Sequence, residues 1–123
     1  MNFLKKLFSK KHKSAPLLVV VKIIAVEKHP NADRLHVLRV DIGAGEPLQI
    51  VCGAPNVRAG LIGVLARPGA VLPGEIEPLA ALEIRGILSH GMMCSEMELG
   101  VGEDHSGIME LPENSKIGTE YKK

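Results

Sequence analysis

The chain has 123 residues, 46% of them hydrophobic, and a formal net charge of +1. That suffices for one packed domain with short extensions. Its apolar runs fall short of the ~20 residues that cross a bilayer, and nothing resembles a cleavable signal peptide. The near-neutral total hides an uneven distribution: residues 1–14 carry Lys5, Lys6, Lys10, Lys11 and Lys13 and no acid. Fifteen basic groups less these five leaves ten against all fourteen acids, a net of −4 for the remainder.

Met1–Ser14 places Phe3, Leu4, Leu7 and Phe8 at i, i+1, i+4 and i+5, a helical stripe flanked by the lysines. Ser14, Ala15 and Pro16 break it, so residues 1–16 read as a basic amphipathic arm, 17–119 as the folded domain and 120–123 as a tail. Leu17–Val26 is β-branched and nearly continuous, the pattern of a long, largely buried strand. His29-Pro30-Asn31-Ala32-Asp33 is a loop, because Pro fixes one φ and Asn and Asp favour turns through local side-chain bonds. Leu35–Ile42 and Leu48–Cys52 are the next strands, joined as a hairpin through Gly43-Ala44-Gly45-Glu46-Pro47.

Cys52 then breaks into Gly53-Ala54-Pro55-Asn56, a tight turn. Ile62–Ala66 is a fourth strand, ended by Arg67-Pro68-Gly69, and Val71–Gly74 reads as a short edge piece and turn. Leu79–Ile84 and Met92–Cys94 are strand candidates, followed by a short helix over Ser95–Leu99 that Gly100 stops. Gly107–Leu111 is expected as a last strand, and Ile117–Thr119 opens the C-terminal extension. Many short strands with Gly and Pro punctuation describe a mainly all-β domain, either a small barrel or a sandwich.

Metal and enzyme chemistry find little support. There is no C-x-x-C pair, and the five histidines at 12, 29, 36, 90 and 105 lack ligand spacing, so neither a metal nor a cofactor is expected. Cys52 and Cys94 read as small buried hydrophobes in a reducing cytoplasm, with a disulfide between two strands as the alternative. Ser89 and His90 would point to opposite faces of a strand, and Asp104-His105-Ser106 reads as a turn held by Asp and Ser. No phosphate loop or dinucleotide fingerprint is present, and the chain is expected to be noncatalytic.

Several basic residues fall where barrels present ligand contacts, in loops and at strand ends. Arg34 follows the His29–Asp33 loop, Arg58 follows the Gly-Ala-Pro-Asn turn, Arg67 ends a strand and Arg85 precedes Gly86. Between residues 9 and 120 there is no aromatic side chain on which bases could stack. A folded RNA, recognised by shape, phosphate and 2′-hydroxyl contacts, is the better fit.

Three blocks then act together: Glu27–Leu35, Ile50–Gly60, and Arg85-Gly86 followed by Ser89, Gly91, Met92 and Ser95. In this order and spacing they resemble the tRNA-binding domain near the start of the bacterial phenylalanyl-tRNA synthetase β subunit. The same domain type occurs in small free-standing tRNA-binding proteins and at the end of some methionyl-tRNA synthetases. The resemblance covers Leu18 to Thr119. It implies an OB-fold, a five-stranded Greek-key barrel with appended C-terminal strands and a short helix.

It further implies a noncatalytic module for folded tRNA, free-standing or working beside phenylalanyl-tRNA synthetase. The implied RNA contacts are Asn31, Arg34, Arg58, Arg67, Arg85, Ser89, Met92 and Ser95, with the five arm lysines as an auxiliary basic site. The alternative is a dimeric protein-interaction or chaperone-like module, since some relatives form homodimers that bind polypeptides. The rival use of the arm is contact with a membrane surface or partner through Phe3, Leu4, Leu7 and Phe8. Two departures stand out. Val21 occupies a run where relatives have Gly, and Glu75–Glu83 replaces a lysine-rich stretch, placing acids on an expected phosphate-facing strand.

Overall fold

The computed structural model describes residues 16–123; the arm, with Lys5, Lys6, Lys10, Lys11, Lys13 and the expected helical stripe, lies outside the described residues. Strand β1 (Leu18–Lys28) organises the rest, because its two halves pair with different partners. Leu18–Lys22 runs antiparallel to β4 (Ile62–Ala66), and Lys22–Lys28 runs antiparallel to β2 (His36–Asp41). The register slips between Ile23 and Ala25, so a bulge leaves Ile24 exposed while Ile23 stays buried. Bulges bend strands and let one sheet curl onto itself.

β2 continues as a hairpin into β3 (Leu48–Cys52), and β7 (Met92–Met93) pairs with β4. The sheet order is therefore β3-β2-β1-β4-β7. A separate hairpin of β5 (Leu82–Ile84) and β6 (Ile87–Ser89) is inserted between β4 and β7. The inserted segment brings the two sheet edges together: the His90 N–H donates to the Gln49 carbonyl at 2.9 Å, and the Gln49 side chain donates to the Leu88 carbonyl at 2.8 Å. The described residues form the expected mainly-β, five-stranded barrel, nearly closed, with one short helix.

Two packed clusters fill it. Val19, Val21, Ile23, Leu38, Val40, Ile50 and Leu65 form the barrel centre, as alternation along β1 and β2 requires. Val21 is fully buried and stands opposite Gly63, so the barrel accommodates the branched side chain. Val64, Ala66, Leu72, Cys94 and Leu99 make a second cluster under α1 (Glu96–Leu99). Ser95 caps that helix, accepting from the Glu98 N–H while the Glu98 carboxylate accepts from the Ser95 N–H, and Gly100 ends it in the left-handed region. Among the described residues no helix is long and apolar enough to cross a membrane.

Three local expectations are corrected. Val71–Gly74 forms turns and no edge strand. Gly107–Leu111 forms no strand, because its hydrogen bonds go to two different elements: Met109 N–H to the Cys94 carbonyl and Leu111 N–H to the Ile62 carbonyl. A ladder needs successive bonds to one neighbour. Glu75 and Glu77 lie in the connection between β4 and β5, and of the acids in 75–83 only Glu83 sits on a strand. At the C-terminus, Glu120 bridges to Val19 and the Tyr121 N–H donates to the Leu18 carbonyl. Both cysteines are free thiols; burial pushes Cys52 up and drives Cys94 to about 12, with Glu98 adding to each shift.

Candidate nucleic-acid interface

The loop after β1 is closed by its own main chain: the His29 N–H donates to the Leu35 carbonyl at 3.0 Å, and the Leu35 N–H to the Ala32 carbonyl at 3.2 Å. His29 turns inward and is buried. Its Nδ1 accepts from the Asn31 N–H at 2.9 Å. An acceptor Nδ1 puts the proton on Nε2 in the neutral ring, and Nε2 then donates to the Ile84 carbonyl at 2.9 Å. The Asn31 carboxamide adds a bond of 3.0 Å to the Arg85 carbonyl. Two side chains of one loop thus hold a hairpin turn more than fifty residues away in sequence.

That turn is the two-residue connection Arg85-Gly86, closed by the Ile84–Ile87 pair. Both residues have positive φ, 52° and 89°, which makes a type I′ turn matched to the strand twist. Among the described residues Arg85 is the only non-glycine residue with positive φ. An L side chain there costs about 1–2 kcal/mol. The bonds from His29 and Asn31 hold the turn in that conformation, and the Arg85 side chain is exposed.

Arg34 and Arg85 line one cleft of about 360 Å³ together with Asn31, Asp33 and Leu35. Neither guanidinium has an acidic partner among the described residues. Their planar donor forks are therefore available for phosphate oxygens. The cleft adjoins the Gly-Ala-Pro-Asn turn: a Cβ on Gly53 would lie 3.1 Å from Leu35 Cδ2 and 3.7 Å from the Arg34 carbonyl oxygen. The third block supports the same rim from beneath. Ser89 is buried, accepts from the Val51 N–H and donates to the Gly91 carbonyl, both at 2.9 Å.

The expected contacts therefore divide. Asn31, Arg34 and Arg85 come together at one rim, and Ser89 braces it. Met92 and Ser95 border a different hollow of about 550 Å³, beside Gly53–Pro55, with no arginine or lysine in its lining. Ser95 is buried as the helix cap. Arg58 is held by Glu110 through bonds of 2.7 and 3.1 Å, and Asn56 donates to the same carboxylate at 3.0 Å. Those bonds lower Glu110 to about 2 and raise Arg58. Arg67 sits at the opposite end of β1 from His29, with Nη1 donating to the Pro16 carbonyl at 3.3 Å.

Two further residues stand outside the expected contacts. Arg39 is exposed on the outer face of β2, between Ala25 and Gln49. The alternation of buried Leu38 and Val40 around it carried that signal. By sequence His29 is only part of a loop, and its partner at Ile84 is too distant for spacing to reveal. Neither suggested nucleophile is assembled: the Ser89 hydroxyl is bonded within the fold, and Ser106 donates to Asp104 Oδ1 at 2.7 Å in the expected turn. Among the described residues no three His, Cys, Asp or Glu side chains are grouped to hold a metal.

Comparison with known proteins gives the family of the chain. Residues 18–120 match a family described as "Putative tRNA binding domain". The chain is 57% identical over 102 residues to the phenylalanine–tRNA ligase beta subunit of Novosphingobium aromaticivorans and 52% identical over 102 residues to that of Zymomonas mobilis. Each match covers 83% of this chain but 13% of the relative, so the chain spans a small part of the length of those proteins. The crystal structure of the C-terminal domain of Plasmodium vivax p43 superposes with a TM-score of 0.56 at 22% identity, covering 82% of this chain and 56% of that one. At that identity the likeness is one of fold.

Proposed function

Because this chain belongs to the tRNA-binding domain family, we propose that it is a noncatalytic module that holds folded tRNA along the rim carrying Asn31, Arg34 and Arg85. The observation that carries the reading is the convergence of two segments, distant in sequence, on two guanidinium groups in one cleft, neither with an acidic partner among the described residues. Arg34 and Arg85 contact phosphates, and Asn31 fixes the turn that presents Arg85. Arg39, exposed on β2, is a further cation for the RNA backbone. Recognition follows the contour of the RNA, since between residues 9 and 120 no aromatic side chain is available to stack splayed bases. The relatives' names place such domains in phenylalanine–tRNA ligase, and association with that enzyme is part of the proposal.

Mobility shifts of tRNA by the full chain at several salt concentrations test this directly. Replacing both arginines, Arg34→Ala with Arg85→Asn, should reduce the slope of log affinity against log salt by about two. An unchanged slope would place the RNA on another face.

A further inference from the structure

A second feature lies away from the Arg34–Arg85 rim. The connection from β4 to β5 folds over the barrel flank and encloses a cleft of about 490 Å³. Its floor is apolar, from Ala70, Leu72, Leu79, Leu82 and Met92, and its edge is acidic, from Glu75, Glu77 and Glu98. Beside it Val71 and Ile76 are exposed by 56% and 93%, and Leu82 in the floor is itself exposed by 61%. Clustered apolar exposure of this kind marks a contact surface. Among the described residues Glu75 and Glu77 have no basic partner, and the sequence from 68 to 115 contains nine acids and a single basic residue, Arg85.

The first described residues enter the barrel at the edge of this cleft. The Arg67 N–H donates to the Leu17 carbonyl at 2.8 Å, and a Cβ on Gly69 would lie 3.5 Å from the Leu17 side chain. Gly69 and Ala70 are themselves joined to Leu79 by two bonds of 2.7 Å. The preceding residues carry what the cleft lacks: five lysines, no acid, and the apolar set Phe3, Leu4, Leu7 and Phe8. Fourteen residues reach about 21 Å even at helical rise, which is ample for a site that begins beside Leu17.

We propose that this cleft is the seat of residues 1–14 of the same chain, with Phe and Leu side chains on its apolar floor and lysines over Glu75 and Glu77. Charge complementarity, apolar complementarity and the point of entry all select that occupant. The proposal does not rest on the RNA reading: Asn31, Arg34 and Arg85 take no part in the cleft.

Limited trypsin digestion of the full chain, read by mass, reports on it through cleavage at Lys5–Lys13. Cleavage should be at least about tenfold slower than in a free peptide of residues 1–15. Neutralising the edge with Glu75→Gln and Glu77→Gln should restore fast cleavage, whereas Glu46→Gln and Glu113→Gln should leave protection intact. Leu4→Asp with Leu7→Asp should release the segment without touching the barrel. Cleavage as fast as in the peptide, or equal loss of protection in both Glu→Gln pairs, would overturn the proposal. Protection that rises with protein concentration would assign the cleft to a second copy's arm, and protection only with added tRNA would assign the arm to RNA; either defeats it.

Discussion

The Asn31 carboxamide donates to the Arg85 carbonyl across 3.0 Å, joining residues 54 apart in the chain. Beside it buried His29 bonds to Ile84, so two side-chain bonds tie the loop after β1 to the β5–β6 turn. Removing the imidazole by His29→Ala leaves the Ile84 carbonyl and the Asn31 N–H without their partners. A loss of about 1–3 kcal/mol in urea unfolding is expected. Weaker tRNA binding should accompany it, although the imidazole itself is buried. Wild-type stability in this variant would show that the two bonds contribute nothing net.

Arg85 sits in a conformation that suits Asn or Gly better than Arg. Arg85→Asn creates the favoured Asn-Gly pair for a type I′ turn. We expect stability to rise by about 1 kcal/mol while the salt slope of tRNA binding falls by about one. Opposite movement of the two quantities is the diagnostic result. A stability decrease would mean that the Arg85 side chain supports the turn rather than the ligand.

Glu110 carries a pH signature. Its bonds to Arg58 and then Asn56 hold the carboxyl at about 2, against an ordinary 4.5. The folded chain therefore binds that proton less readily than the unfolded one. The stabilisation is complete above about pH 4.5 and is lost as pH falls toward 2. Both side chains are exposed, so solvent screening keeps the effect small. Melting curves of wild type and Glu110→Gln should differ at pH 7, converge between pH 4.5 and 2, and coincide below. A gap as large at pH 2 as at pH 7 would refute the assignment.

Gly91 links β6 to β7 with φ 149°, and a Cβ there would fall 2.6 Å from the Ala66 carbonyl oxygen. That oxygen belongs to the β4 backbone and cannot swing aside. Gly91→Ala should lower stability by about 2–3 kcal/mol and disturb the Ser89 bond that braces the rim. Chemical unfolding gives the first effect, and tRNA affinity at fixed salt the second. An Ala variant as stable as wild type would show that β7 can shift outward at little cost.

Local chemistry determined the strands at Leu48–Cys52 and Ile62–Ala66, the loop at His29–Asp33, and the helix between Ser95 and Gly100. Each is a matter of periodicity, propensity or capping within a few residues, and so it was legible in sequence. The extended run Gly107–Leu111 misled because apolar content does not reveal that its hydrogen bonds divide between Cys94 and Ile62. The basic candidates were visible as residue types, but their states were not. Glu110 neutralises Arg58 from 52 positions away, while Arg34 and Arg85 meet in one cleft with no acid bonded to either. Only the folded barrel decided which of the described cations stay unpaired and which face a carboxylate, because pairing depends on distance in space, and folding alone sets that distance for residues so far apart along the chain.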